Sequence, residues 1–578
     1  MLAGGKPAGI HDNRARSEEQ TTGMDWENFM TKRKTETAGS VSVNRRAVLQ
    51  GLAAAAALPY VAMPGFARAA DMPLYGGTFV VGSGTEPRHL NQNITTDSAT
   101  KLISNPIFSK LVGLKSDFTP SADLARSWTV SDDGLIYTFK LEEGVTWHDG
   151  KPFSSDDVKF TFEKVLFEYH NIGKSLGAFV ASVTTPDANT VVFTLKSPND
   201  VFMTFVAGQS YIQPKHIYDG TDIMNNPANL KPIGTGPFKF SQWARGRELT
   251  LLRNDAYFKK NQPYVERIVT RFIPEASARV RALEAGEIDY VAYFDLPPSM
   301  VADLQKNADL TVVSKGHEAW GSIVELMMNL DKAPYNDVRV RRAITHAIDR
   351  DFIIAKANYG LSKIATGPIS SEIAWAYNPD TKQYPFNIAE ANRLLDEAGV
   401  AKDGNGIRFK AGIVVTRTIE ANLKAAQIIA EQLKKVGIAA EVLSMDAATT
   451  TEAVYTKREY DMFIQSLTTG PDPAMGMQRQ YISSNIRPIP FTNGIGYRNP
   501  KVDDLLAKAA GDPDRQKRAV LYKEASAVLC EDAALVWLYE NAAYSAFNSA
   551  FGNLHSWAAE SIYSYGDVFW KEGESKRS

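Results

Sequence analysis

Three sets of residues invite a chemical reading. Gly173-Lys174-Ser175-Leu176-Gly177 fits G-x-S-x-G, the spacing that lifts a serine nucleophile onto a sharp turn in some hydrolases. That turn needs a core strand before it and a helix after it. Residues Phe160 to Tyr169 instead space Phe162, Val165, Leu166 and Tyr169 as a helix does. A serine hydrolase acting through Ser175 is therefore a remote alternative, and no catalytic residue is assigned. There is no H-E-x-x-H, and Gly173-Lys174-Ser175 lacks the upstream glycine of a phosphate loop. The eight histidines (His11, His89, His148, His170, His216, His317, His346 and His555) do not pair at helical or finger spacing. His148-Asp149 opens His148-Asp149-Gly150-Lys151-Pro152, which reads as a turn, since no second ligand pair follows. The one cysteine, Cys530, excludes an internal disulfide. No metal and no cofactor are expected.

The elements around these residues belong to a large soluble chain. At 578 residues it exceeds one core and divides into domains. A hydrophobic share of 44% with 22% charged residues is that of an ordinary globular protein. Its 64 basic and 66 acidic residues leave no nucleic-acid footprint. Residues 1–43 are polar and irregular and read as a disordered leader. Asn44-Arg45-Arg46, the apolar stretch from Gly51 to Met63, and Ala67-Arg68-Ala69 follow in order. A twin arginine, a short apolar region and a small-residue cleavage site make residues 44–70 a Tat signal peptide. The apolar stretch is shorter than the ~20 residues of a spanning helix. Cleavage near Ala69 or Ala70 leaves 55 basic against 60 acidic residues, a net charge of −5. Export by the Tat machinery to the periplasm, as a soluble monomer, is expected.

Downstream, period-two patterns mark strands. Tyr137, Phe139 and Leu141 alternate with polar neighbours, and Val191, Phe193 and Leu195 do so after the turn Pro186-Asp187-Ala188-Asn189. Ser154 or Ser155 caps a helix carrying Val158, Phe162 and Val165. A helix is expected from Pro274 to Gly286. From residue 336 long helices take over. Asn336 is expected to cap one with the stripe Val340, Ala343, Ile344, Ala347 and Ile348, and Asn387 another that ends at Gly399. Strand Lys410 to Thr416, helix Glu420 to Val436, Gly437 and strand Ala440 to Leu443 form a β-α-β unit, with strand Tyr460 to Ser466 after it.

One run, LARSWTVSDDGLIYTFKLEEGVTWHDGKPFSSDDVKFTFEKVL from residue 124, resembles the signature of the family 5 solute-binding proteins, the receptors of peptide, opine and nickel ABC importers. IGTGPFKF, LLRNDAYF, the segment Tyr497 to Leu506 and Ala534-Leu535-Val536-Trp537-Leu538 resemble further blocks of that family. The resemblance implies an α/β fold: a two-lobed periplasmic binding protein clamp of type II, with a small extra domain in lobe one. Lobe one would take residues 71–113, the extra domain 114–229, and lobe one again 230–318. Lobe two would take 319–535, and 536–578 would return to lobe one. The chain would cross near 316–326 and 533–545. The implied job is capture of a small-molecule or peptide solute and its delivery to ABC transporter permease subunits, without catalysis. A nickel or metal-chelate receptor of the same fold is the alternative, with His89 and His317 in cleft-facing segments.

The same resemblance suggests the binding residues. The loop Gly82 to Asn91 matches the family's first ligand-facing loop and offers Thr85 and Glu86. Trp320 follows the first crossing, where a flat ring can wall the solute; Trp375 and Tyr481 are candidates of the same kind. Arg417 follows strand 410–416, and its guanidinium suits a solute carboxylate. In Gln465 to Pro473, Thr469 stands where peptide receptors carry the aspartate that anchors an amine. Threonine cannot neutralise a buried ammonium. An opine, sugar conjugate or other anion-bearing solute thereby competes with an ordinary peptide, and Asp472 is expected to shape the turn.

Overall fold

Alternation along the sequence becomes inner and outer faces in the structure, a computed structural model that describes residues 73–571 apart from 96, 200, 418 and 555–562. The leader, the signal peptide, His11 and His555 lie outside the described residues. In strand Ile136–Leu141, Tyr137, Phe139 and Leu141 are the buried positions. This strand pairs with Ala125–Val130 and Thr190–Leu195, and Val180–Asp187 completes a four-stranded antiparallel sheet. Its apolar face closes on helices Ser155–Phe160 and Val201–Gln209 through Phe139, Phe162, Phe193 and Phe202. Ser154 caps the first of these helices, with its N–H donated to Asp157 at 2.9 Å. Ser175 lies inside helix Asn171–Gly177, directly after another helical run, so no strand precedes it and no nucleophile elbow forms.

The remainder is built on two larger sheets. The first has seven strands in the order Leu310–Val313, Ser545–Asn548, Tyr290–Val291, Thr78–Ser83, Arg267–Phe272, Glu248–Arg253 and Phe238–Ala244. Thr78–Ser83 runs parallel to both neighbours and is buried along its whole length, because each face meets its own apolar cluster. The helix expected from Pro274 spans Ala276–Glu284; Glu275 caps it by accepting the Ala278 N–H.

The second sheet has six strands in the order Lys363–Ile364, Val536–Glu540, Ser322–Met328, Met462–Thr468, Phe409–Thr416 and Ile438–Met445. The last three are mutually parallel, and helix Glu420–Lys434, which ends before Gly437 at φ +83°, joins Phe409–Thr416 to Ile438–Met445. Two expectations shift here. The strand placed at 460–466 runs from Met462 to Thr468, because Ser322–Met328 pairs with it residue for residue. The helix cap placed at Asn336 is Asp337, whose backbone is extended and whose side chain accepts the Arg339 N–H, while Asn336 still belongs to the preceding turn through its N–H bond to Lys332 O. Asn387 caps Ile388–Glu397 as expected from its type and position, and Gly399 follows at φ +76°.

The chain passes from the first sheet to the second between Val313 and Ser322, and returns between Glu540 and Ser545. The boundary placed after 535 therefore moves to 540. Val536–Glu540 pairs with Ser322–Met328 and belongs to the second sheet.

Candidate functional site

The ends of three neighbouring strands in the second sheet, Ser322, Thr468 and Glu540, meet the two crossings. They enclose a cavity of about 440 Å³. The first crossing lends it Ser314, His317, Glu318 and Trp320, and the second lends it residues 541–544. Ser98 and Tyr293 reach it from the first sheet's side, so both lobes line it. Clefts of this kind are common ligand sites, since closure can exclude water.

The crossings are braced before any solute arrives. His317 lies on the first crossing, and its Nε2 bonds Ser545 Oγ, just past the second, at 3.1 Å. Its ring packs on Tyr293 with centroids 4.5 Å apart. Burial drops the His317 pKa to about 3, so the ring is neutral. Thr469 is buried and donates to Gly321 O at 3.1 Å, while its hydroxyl accepts the Ser370 N–H. Gly321 holds φ +47°, and a Cβ there would lie 3.1 Å from Ser370 and from Ile373. The slot of the missing amine anchor is thus a clip that fastens the first crossing to loop 370–373.

Glu540 is the buried charge of the cavity, at 5% exposure. Its carboxylate accepts Ser370 Oγ at 2.8 Å, Ser371 N at 3.0 Å and Ser371 Oγ at 2.9 Å. Lys363 stands 3.4 Å from it and 2.8 Å from Glu372. Burial works against the Lys363 charge, but Glu372 and Glu540 outweigh it and raise its pKa.

The residues singled out from the sequence fall in different places. Trp320 is on the cavity wall. Thr469 lies directly behind it. Thr85 is exposed, and Glu86 holds hairpin 238–253 by accepting Trp243 Nε1 at 2.9 Å and Gly246 N at 3.0 Å. Neither lines the cavity. Nor does Trp375, which donates to Pro471 O and packs on Tyr522 and Arg518. Tyr481 is 1% exposed and accepts Trp537 Nε1 inside the second-lobe core. Asp472 forms an ion pair with Arg518 at 2.6 Å and accepts the Ala474 N–H, fixing the turn. Arg417 is exposed beyond the end of Phe409–Thr416, at the same sheet edge as Thr468, and does not line the cavity. Its guanidinium has no hydrogen bond or ion pair among the described residues. His89 accepts the Asn91 N–H, and His148 ties its turn to Gly234 and Gly236, with burial lowering its pKa to about 4. Among the described residues no group of three His, Cys, Asp or Glu side chains is placed to hold a metal ion. Glu318, Lys363 and Glu540 were missed. The one hint was a glutamate closing the apolar run Val536-Trp537-Leu538-Tyr539.

Comparison with known proteins agrees with this geometry. The model of the bacterial extracellular solute-binding proteins, family 5 (middle), matches residues 119–487. The oligopeptide-binding protein AppA of Bacillus subtilis (strain 168) is 30% identical over 489 residues, covering 82% of this chain and 88% of its own. The glutathione-binding protein GsiB of Salmonella paratyphi A is 28% identical over 467 residues, covering 78% and 87%. The periplasmic binding protein DppA of Helicobacter pylori, solved with the peptide STSA, superposes with a TM-score of 0.72 at 27% identity, covering 86% of this chain and 99% of that one. No helix among the described residues is long and apolar enough to cross a membrane. With two sheets hinged at two crossings, a cleft between them, and relatives that match over most of its length, the chain belongs to the family 5 bacterial extracellular solute-binding proteins, as the substrate-binding component of an ABC importer and not an enzyme.

Proposed function

We propose that the protein captures a peptide-like, carboxylate-bearing solute in the cavity between its lobes, in the periplasm, after export through its Arg45-Arg46 signal. The observation that carries this reading is the cavity itself, lined from both lobes and floored by the crossings. A solute touching both walls favours the closed arrangement by its differential affinity, and the closed form is the one handed to the permease. Relatives that bind oligopeptides, glutathione and the peptide STSA support a peptide-like solute. Arg417, exposed at the sheet edge that carries Thr468 but outside the cavity lining, is the proposed carboxylate partner. The position of Thr469, whose hydroxyl is already bonded to Gly321 and Ser370, supports a different site for any amine anchor.

Native mass spectrometry of the gently purified mature protein tests this, with the released ligand fragmented. Peptide or peptide-conjugate masses are expected. A retained metal ion or a solute without a carboxylate would overturn it. Replacing Arg45 and Arg46 by lysine should leave the unprocessed chain in the cytoplasm; unchanged export would overturn the Tat assignment.

A further inference from the structure

We propose that the cavity is built to take a cationic group of the solute, with Glu318 as its charge partner and Tyr293, Trp320 and Tyr544 as its aromatic walls. This rests on the reading that the cavity holds the solute. The lining charges point one way. Glu318, Glu372 and Glu540 carry carboxylates, and Lys363 is the one ammonium among the lining residues. Lys363 is already shared between Glu372 and Glu540. His317 adds no charge, being buried and neutral. A solute that brought only negative charge into this partly desolvated space would meet repulsion, whereas a cation would be attracted.

Glu318 differs from the other two carboxylates. Glu540 is saturated by Ser370, Ser371 and Lys363, and Glu372 is taken by Lys363. Glu318 Oε2 accepts the N–H groups of Gly316 at 2.8 Å and His317 at 2.9 Å, which fixes the side chain on the first crossing. Its Oε1 has no donor among the described residues. A carboxylate held by two backbone donors with one oxygen left over is a ready acceptor for an ammonium or guanidinium. Tyr293, Trp320 and Tyr544 line the same cavity, and an aromatic face met by a cation attracts it more strongly as water leaves. Because Glu318 sits on a crossing, a cation bound there reports directly to the segment that joins the lobes.

The test is calorimetric titration of the purified mature protein with trialanine, N-acetyl-trialanine and spermidine. Trialanine should bind about tenfold or more tightly than its acetylated form, which lacks the ammonium. Glu318→Gln should erase most of that gap while keeping the melting temperature, since the amide oxygen still accepts from Gly316 and His317. Trp320→Leu should weaken trialanine and spermidine together. Spermidine binding that Glu318→Gln weakens, with neither peptide bound, would support the cationic site and overturn the peptide reading. Equal or better binding of the acetylated peptide, an unchanged Glu318→Gln affinity, or no binding of either cationic probe would overturn the inference.

Discussion

Two buried carboxylates of the second lobe are each paired with a cation and differ in setting. Asp472 and Arg518 are sealed, with side chains 4% and 1% exposed, and Tyr522 and Trp375 close over them. Glu540 is as deeply buried, but its cation Lys363 is half exposed and lines the cavity. A sealed pair can only hold its neighbours in place. A pair with one partner in the cleft sets a field that a solute feels. Ion pairing alone therefore does not mark a site; the exposure of one partner does.

The largest effect should come from breaking the sealed pair. Arg518→Met leaves Asp472 charged and buried, at a cost of about 3–5 kcal/mol. Urea unfolding should show that loss, while the ranking of solutes stays the same. A change in ranking would erase the distinction between the pairs.

A third buried carboxylate sharpens the comparison, because it pairs with no cation among the described residues. Glu325, on strand Ser322–Met328, accepts hydrogen bonds from Gln465 at 2.7 Å and from Gln480. Burial pushes its pKa up to about 7, only partly offset by those two amides. The folded state thus holds this proton more tightly than the unfolded one. Its stabilising contribution is complete below pH 4.5 and is lost as pH rises through about 7. A shift of that size is worth about 3 kcal/mol. Glu325→Gln should remove the loss, since a neutral amide needs no proton and can donate to Gln480 Oε1, which lacks a donor among the described residues. The variant should therefore gain on the wild type in urea unfolding at pH 8.5 and lose that advantage at pH 4. Parallel pH curves for the two proteins would show that Glu325 does not titrate in this range.

What the sequence disclosed follows the range of the forces involved. Asn387, Gly399 and Gly437 were legible because caps and left-handed turns are local. The helix start at Asp337 was not, because Asn336 and Asp337 are adjacent residues of equal capping type, and only the extended backbone at Asp337 selects it. Trp320, Trp375 and Tyr481 looked alike, since a large ring fills a core as readily as it walls a cavity. Only tertiary packing sends Tyr481 against Trp537 and leaves Trp320 on the cleft. Glu540 showed only as a glutamate closing an apolar run; its role could not be read, because the serines that saturate it lie some 170 residues earlier in the chain.

Removing the cation from the cavity-facing pair should cost less than breaking the sealed one. In Lys363→Met, Glu540 keeps its bonds to Ser370 and Ser371, so about 1–2 kcal/mol should be lost. The cavity becomes more negative, and spermidine should bind more tightly. Weaker spermidine binding would mean that Lys363 shapes the cavity rather than setting its field.

Arg417 marks the other end of the scale. It is exposed and makes no hydrogen bond or ion pair among the described residues, so Arg417→Gln should change stability by less than about 0.5 kcal/mol. Any role it has must appear in binding. A guanidinium that meets a carboxylate with two parallel bonds is worth about 1.5–3 kcal/mol, so trialanine affinity should fall by about tenfold or more. Trialanine amide, which lacks the carboxylate, should bind wild type and variant equally. That contrast separates the two ends of a peptide: Glu318→Gln acts on the ammonium and Arg417→Gln on the carboxylate. If Arg417→Gln weakens the amide as much as the acid, the arginine supports the loop after strand Phe409–Thr416, and the carboxylate is held elsewhere.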